Sequence, residues 1–529
     1  MLINFALLGV ATAAAAAAAV AAAATPAVPT CRGGGQCQNV LYFLADDMRG
    51  DWGTYGLPVR TPHFDDLAKT GLTFRRAYCQ MSVCSPSRQS FMTSLRPDAN
   101  QVWNFLDANP LSTQATPGLF KEHGYLSMGL GKTFHEEWGA WNADAYWSTE
   151  VKPYFNYSTN KCPHGSEGGG HCTLADDDIW DYKLRLAALE YLSFAAETYR
   201  NTSRPFFMMV GFRDPHAPWA APRRMYDLYD EGAIAGPRHR TLDPSQPLIA
   251  WSEQLVVRLQ NGTAFPFSPT QPVPDWVQRD QRHGYYAAVS YVDEHVGALL
   301  GRLERERLTA STIVVMHSDH GYALGEHGLW EKKSNFDLAV RVPLVIRAPA
   351  KAATSAGEVT TSLTELVDLM PTLAALAGLP PPAGVDGADV SALFDDPTQQ
   401  LKGAAYHQYP ACGMARINQT RGGCNKTPKG AFDFMGYSVR TDAWRYTLWV
   451  SWDGAALAPR WDDPRAEEEL YSHDGDDSTD MDRWENVNEA RDHPALAASL
   501  RAQVVAFFSA NHPRVHPAAA AAADARAGR

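Results

Sequence analysis

A chain of 529 residues has room for one large α/β domain and a smaller companion. With 45% hydrophobic and 20% charged residues, its composition is that of an ordinary globular protein. A formal charge of -12 argues against a nucleic-acid partner, because phosphate backbones demand clustered Lys and Arg. An anionic ligand has to be met by a local cluster of basic side chains.

Residues 1–24 carry no charged side chain and run through an alanine tract into Thr25-Pro26. Small residues at Ala22 and Ala24 suit signal-peptidase cleavage, so 1–24 reads as a signal peptide, with an uncleaved anchor as the alternative. No later segment is long and apolar enough to span a bilayer, and no stable membrane anchor is expected. Sequons at Asn156, Asn201, Asn261, Asn418 and Asn425 lie in turn-like polar stretches and fit export. Among the eight cysteines, Cys31 with Cys37, Cys162 with Cys172 and Cys412 with Cys424 each close a short loop, as local disulfides of an oxidising compartment do. Cys79 and Cys84 are left without local partners. The expected location is the secretory pathway, either secreted or lysosome-like.

The run Asn39-Val40-Leu41-Tyr42-Phe43-Leu44-Ala45 predicts a strand buried on both faces, ending in Asp46-Asp47. Residues 125–130 predict a second, leading into Gly131-Lys132 and then His135. Residues 206–212 predict a third, leading into Asp214-Pro215-His216, and 312–318 a fourth, ending in Asp319-His320. Helical patterns over 180–199, 284–307 and 363–377 separate them, which predicts a mostly parallel sheet flanked by helices. Ligands of such sheets bind beyond the carboxyl ends of the strands. The four strand ends can therefore converge on one site.

The larger unit is expected over 38–425. A smaller α+β unit over 432–512 follows, with an antiparallel pair turning at Asp442-Ala443 and a closing helix over 495–508. The acidic run from Asp474 to Asp480 reads as a solvated loop, and 513–529 as a disordered alanine-rich tail.

Asp46, Asp47 and Asp319 are hard oxygen donors, suited to Ca²⁺ or Mg²⁺ rather than zinc. Three acids in one pocket repel unless a cation neutralises them. Asp46-Asp47 alone would equally cap a helix, but Asp319-His320 at a second strand end favours a metal. On residue type alone His320 stands behind the ligands rather than among them.

Several motifs together resemble the sulfatases. They are Ala45-Asp46-Asp47-Met48-Arg49, Cys84-Ser85-Pro86-Ser87-Arg88, Gly131-Lys132-Thr133-Phe134-His135, Ser318-Asp319-His320-Gly321-Tyr322 and Ser334-Asn335-Phe336-Asp337. By itself Cys84 to Arg88 would also suit a loop entering a helix at Gln89. Within the family the iduronate-2-sulfatase branch is most similar, notably over Met435-Gly436-Tyr437-Ser438-Val439-Arg440-Thr441 and on to Val450. The resemblance spans about residues 39–488 and implies an alkaline-phosphatase-like fold, with the larger unit as catalytic domain. It also implies that Cys84 is oxidised to formylglycine by the formylglycine-generating enzyme. Asp46, Asp47, Asp319, His320 and the modified Cys84 would ligate one Ca²⁺, with Arg88 securing the diol. Lys132 and Lys332 would bind sulfate oxygens and His135 would drive sulfate elimination. His216 would donate to the leaving oxygen, with Lys332 as competitor for that role.

The implied substrate is a sulfated carbohydrate, with 2-O-sulfated uronate leading. Its carboxylate needs a further cation, for which Arg440, Arg445, Arg213 and Arg223 are candidates. Asp214 stands where a uronate-binding enzyme would be expected to carry a basic residue, and the glycine-rich loop from Gly165 to His171 carries little information. The rival readings are a choline sulfatase with an aromatic cage, a phosphonate or phosphate ester hydrolase of the same superfamily, and a non-catalytic glycan-binding protein. The intact set Cys84, Arg88, Lys132, His135 and Lys332 argues against the last.

Overall fold

The computed structural model describes residues 37–108, 114–135, 144–155, 160–162, 170–252, 257–414 and 416–511. The expected signal peptide, Cys31, the Asn156 sequon, the core of the glycine-rich loop and the tail lie outside the described residues.

The central sheet is built on β1 (Asn39–Ala45), β2 (Leu72–Tyr78), β3 (Leu126–Gly131), β4 (Phe206–Gly211), β5 (Thr312–Ser318) and β6 (Arg341–Arg347). Across it the order is β2-β6-β5-β1-β4-β3, with Val359–Thr360 and Thr364–Glu365 paired to β2 at one edge. β1 lies between β5 and β4, parallel to both, and β3 is parallel to β4. Helices α1 (Cys84–Thr93), α2 (Trp180–Thr202), α3 (Asp275–Arg305) and α4 (Leu369–Leu376) cover the two faces.

The apolar run of β1 explains its central place. Successive side chains of a strand point to opposite faces, and both faces here are covered. Leu41, Phe43 and Ala45 pack with Leu184, Ala188 and Leu192 of α2 and Val289, Val292 and Val296 of α3. Val40, Tyr42 and Leu44 join Phe91 and Met92 of α1 and Leu369, Met370 and Leu373 of α4. The result is a helix–sheet–helix sandwich with β1 at its centre.

Of the six strands named in the central sheet, two escape the sequence pattern, and both run through charged or proline-bearing stretches. β2 carries Arg75 and Arg76 at its middle. β6 contains Pro343, which cannot donate to the ladder, and its register against β2 shifts between Val342 and Leu344. β6 is antiparallel to both neighbours, β2 and β5. Helix α3 begins at Asp275 rather than near 284, because its polar first turns hide the apolar period. The helix expected over 363–377 opens instead as a short strand and a 3-10 turn, where Glu365 and Asp368 cap one another's backbone before α4 starts.

The smaller unit is an antiparallel sheet of β7 (Ala405–Ala411), β8 (Phe434–Arg440), β9 (Trp444–Asp453) and β10 (Glu467–Ser472), in that order. β8 and β9 turn at Asp442-Ala443 with Arg440 opposite Arg445. The sheet takes in β7, which lies before the boundary expected at residue 432. Helix α5 (Pro494–Asn511) closes it through Ala497, Leu500, Val504 and Phe508.

A buried ionic network joins the two sheets. Arg445 pairs with Asp337 at 2.5 Å and with Glu485. Arg341 holds the other Asp337 oxygen at 3.1 Å, and Arg440 reaches Asp476 at 3.3 Å. His473 bridges Asp476 at 2.8 Å and Glu485 at 3.0 Å. Asp476 is thus drawn inward from the acidic run, whose neighbours Asp474 and Asp477 stay exposed. The expected disulfides Cys162–Cys172 and Cys412–Cys424 are both formed, while Cys79 and Cys84 are free and buried.

Candidate active site

Cys84 is the first residue of α1, not part of a loop ahead of it. Val83 caps the helix in extended conformation. Pro86 falls in the first turn, where backbone N–H groups have no intrahelical partner, so its missing donor costs nothing. The positive end of the helix dipole faces the same point. Arg88, one turn on, lies on the same side as Cys84.

Around the Cys84 sulfur stand Asp46 Oδ1 at 3.3 Å, His320 Nε2 at 3.4 Å and Lys332 Nζ at 3.4 Å. Ligand atoms of Asp46, Cys84, Asp319 and His320 all lie within 4.8 Å of one another, and so do those of Asp47, Cys84 and His216. The β1 and β5 ends bring the acids together. Asp47 sits in the left-handed region at φ 64°, which Asp tolerates better than most residues. No helix starts there, so Asp46 and Asp47 are not caps; the next ordered element is the single turn Gly53–Tyr55.

Each carboxylate has a cation. Arg88 Nε donates to Asp319 Oδ2 at 2.8 Å, its Nη2 lies 3.8 Å from Asp46, and its Nη1 donates to the Lys132 carbonyl. Lys132 pairs with Asp46, and Lys332 with Asp47 at 2.5 Å. Burial works to raise Asp46, but Lys132, His216, Arg88 and Lys332 outweigh it and hold the carboxyl well below its usual range. Burial raises Asp47 to about 8, helped by Asp46 and Asp319 against the pull of Lys332. Burial lowers His320 to about 4, which leaves a neutral imidazole with a lone pair for a ligand. Burial also pushes the Cys84 thiol up to about 12.

Lys132 reaches this point through a close approach of β3 and β4. Gly131 has φ +67°, and a Cβ there would meet the Gly211 carbonyl at 2.2 Å. His216 is half-buried, with Nδ1 at 3.1 Å from Arg213 and 2.8 Å from the Ala217 carbonyl. Burial and Lys332 together keep it well below its usual value. His135 is the last described residue before 136, with its ring stacked on Phe105 at 4.5 Å. Sequence reasoning missed Tyr285, whose hydroxyl donates to the Asp47 carbonyl at 2.8 Å, and Ser87, whose hydroxyl donates to the Asp319 carbonyl at 2.5 Å. Tyr285 belongs to a helix read only for its apolar period, and no local signal marks it.

The four arginines offered for a uronate carboxylate are otherwise engaged. Arg440 and Arg445 are consumed by the network between the sheets. Arg223 is exposed and pairs with Asp227 at 2.8 Å. Arg213 spends its guanidinium on His216 and on the Ala217 carbonyl at 2.9 Å. Asp214 is buried and accepts from Asn160 at 3.3 Å.

A mostly parallel sheet between helix layers, with acids, lysines and a helix-borne cysteine at its strand ends, defines a hydrolase of the alkaline-phosphatase-like fold. Residues 38–379 match the family model described as Sulfatase, and 325–493 that described as "N-sulphoglucosamine sulphohydrolase, C-terminal". The iduronate 2-sulfatase of Mus musculus is 33% identical, over 88% of this chain and 93% of that protein. The iduronate 2-sulfatase of Homo sapiens is also 33% identical, over 84% and 91%. Among solved structures, a phosphonate monoester hydrolase from Silicibacter pomeroyi shares the fold with a TM-score of 0.68 at 21% identity, over 91% and 97%. The chain belongs to the sulfatase family and is a sulfuric ester hydrolase.

Arg88 is fully buried between Asp319 and Asp46. Arg88→Met leaves two buried carboxylates short of a partner and should cost about 3–5 kcal/mol. Urea unfolding of the variant against the parent measures this.

Proposed function

We propose that this sulfatase removes a terminal sulfate from sulfated carbohydrate in the secretory pathway, using formylglycine made from Cys84 and one Ca²⁺, with 2-O-sulfated uronate as the preferred substrate. The observation that carries the chemistry is Cys84 at a helix start inside the ring of Asp46, Asp319, His320 and Lys332, with Arg88 one turn behind. The similarity to iduronate 2-sulfatases over most of the chain supports the substrate class. Two disulfides and the exposed Asn201, Asn261 and Asn418 support export.

The donor set fits a hard divalent cation: the Asp46 and Asp319 carboxylates and a neutral His320 imidazole are grouped around Cys84, and Asp47 Oδ1 lies 3.5 Å from His320 Nε2. Asp46, Asp47, Asp319, His320 and the modified Cys84 would hold it, and when bound it supplies a Lewis acid to a sulfate oxygen. Formylglycine at position 84 would supply a hydrated aldehyde, with one hydroxyl as nucleophile toward sulfur and the second to release sulfate and restore the aldehyde. Arg88 fixes Asp319 and Asp46 and keeps the diol oriented. With Asp46 and Asp47 engaged as ligands, the ammonium groups of Lys132 and Lys332 are available to the sulfate oxygens and to the charge developing there. His135 takes the proton of the second hydroxyl. His216, held neutral by burial and Lys332, would have to gain a proton on substrate binding before handing one to the leaving oxygen, and Lys332 is the alternative donor.

Mass spectrometry of the peptide bearing Cys84 should show the aldehyde in active protein. Cys84→Ala should fold normally and lose turnover; a thiol in fully active enzyme would end the formylglycine reading.

Elemental analysis should find one calcium per chain. Asp319→Ala should lower calcium affinity in titration calorimetry as well as activity, whereas stoichiometric zinc would contradict the assignment.

The substrate is tested by comparing 2-O-sulfated iduronate with the same sugar reduced at its carboxyl. A buried contact to the carboxylate is worth roughly 2–3 kcal/mol, or about fiftyfold in kcat/KM. Equal rates would leave a sulfatase with another glycan preference.

A further inference from the structure

Lys332 sits between two residues in the left-handed region, Glu331 at φ 86° and Lys333 at φ 68°. Neither is glycine, so each is held there at a cost of about 1–3 kcal/mol that the surroundings must offset. On one side Ser82 secures the turn, just ahead of Cys84. Lys333 N donates to the Ser82 carbonyl at 3.1 Å, the Ser82 hydroxyl donates to the Ser334 carbonyl at 2.7 Å, and Ser334 N donates back to that hydroxyl at 3.1 Å. On the other side the carbonyl of Lys333 accepts from Nη2 of Arg421.

Arg421 comes from the loop closed by Cys412–Cys424. Its Nε donates to the Ile249 carbonyl at 2.8 Å, and its backbone N to that of Trp251 at 3.3 Å. The guanidinium lies over the rings of Tyr409 at 4.9 Å and Trp449 at 5.4 Å. It is 0% exposed. Buried arginines normally pair with an acid, yet among the described residues no carboxylate pairs with this one. The nearby Glu469 is taken by Trp449 Nε1 at 2.6 Å and the Tyr471 hydroxyl at 2.5 Å. Burial lowers Arg421 only to about 10, so it keeps its charge at neutral pH. A charge buried on main-chain carbonyls and ring faces is a costly way to fill a core, and this one ties the Leu248–Ala250 turn, through the Ile249 and Ala250 carbonyls, to the turn that presents Lys332.

We propose that Arg421 is a positioning residue for sulfate ester hydrolysis, holding the strained Glu331–Lys333 turn so that the Lys332 ammonium stays against Cys84 and Asp47. The inference rests on reading Lys332 as a sulfate-binding residue. Arg421 acts through Lys332 and touches no substrate, so the two residues should behave as one unit in a double-mutant cycle.

The cycle uses the full-length calcium-loaded enzyme with p-nitrophenyl sulfate; kcat is normalised to the folded fraction from thermal unfolding and KM is read directly. Arg421→Met should lower kcat/KM by roughly 10- to 100-fold, as a misplaced catalytic group does, and Arg421→Lys should recover part of the loss. On a Lys332→Ala background, Arg421→Met should cost no more than about twofold. An equal loss on both backgrounds, or a parental rate per folded Arg421→Met molecule, overturns the proposal while leaving Lys332 in place. A parental rate for Lys332→Ala alone overturns the Lys332 assignment and this inference with it. Should Arg421→Met fail to fold, Arg421→Lys on the two backgrounds gives the same comparison.

Discussion

Asp46, Asp47 and Asp319 share a pocket in which none of them is more than 1% exposed. Like charges at that spacing and depth cannot all ionise unless cations are built in beside them. Arg88, Lys132 and Lys332 are those cations, and each comes from a different part of the chain: the first turns of α1, the end of β3, and the turn before β6. The acids come from two more strand ends. Charge balance at this one point therefore fixes five segments relative to one another, and the order of the sheet is what makes the meeting possible. With β1 central and β4 and β5 on either side, the Asp46, His216 and Asp319 ends are neighbours by construction.

The same balance separates two uses of basic residues that look alike in sequence. Lys132 and Lys332 pair with Asp46 and Asp47, whose oxygens lie in clusters able to hold a metal ion, and in the proposed function their ammonium groups pass from carboxylate to anionic substrate. Arg440 and Arg445 pair with Asp476, Asp337 and Glu485, with His473 closing the set. Removing either partner there leaves an uncompensated buried charge. These arginines hold two sheets together and are fully buried there, out of reach of a ligand.

What was legible in the sequence follows from how locally each residue declares itself. β1 and β5 were readable to the residue because a strand covered on both faces is apolar throughout, and their acidic ends stood out against that run. The antiparallel pair around Asp442 was readable from its turn. β6 was not, since Pro343 at its middle reads as an interruption, and the structure absorbs it as a register shift. Cys84 was readable by motif, but its place at the first position of α1 was not, because Cys-Ser-Pro-Ser looks equally like a loop. Tyr285, Ser87 and Arg421 were invisible for another reason. Their roles are hydrogen bonds to distant main-chain carbonyls, and no spacing or composition encodes which carbonyl a buried donor will find.

The segment 331–341 shows why the smaller sheet is more than an appendage. Lys332 faces Asp47 and Cys84, while the residues after it are stitched to the other unit. Lys333 is held by Arg421, Asn335 donates to the Gly436 carbonyl at 3.2 Å, and Asp337 is gripped by Arg445. The contact at Gly436 is so close that a Cβ there would stand 2.7 Å from Asn335 Nδ2. Chain continuity then carries the stitching into β6, which runs between β2 and β5 in the central sheet. Loosening the smaller sheet would withdraw the supports of this segment and with them the setting of Lys332 against Asp47. Asp47 would then keep its like-charged neighbours while losing its own cation. The 331–341 segment therefore ties the buried charges of the seam to the setting of Lys332 through the backbone.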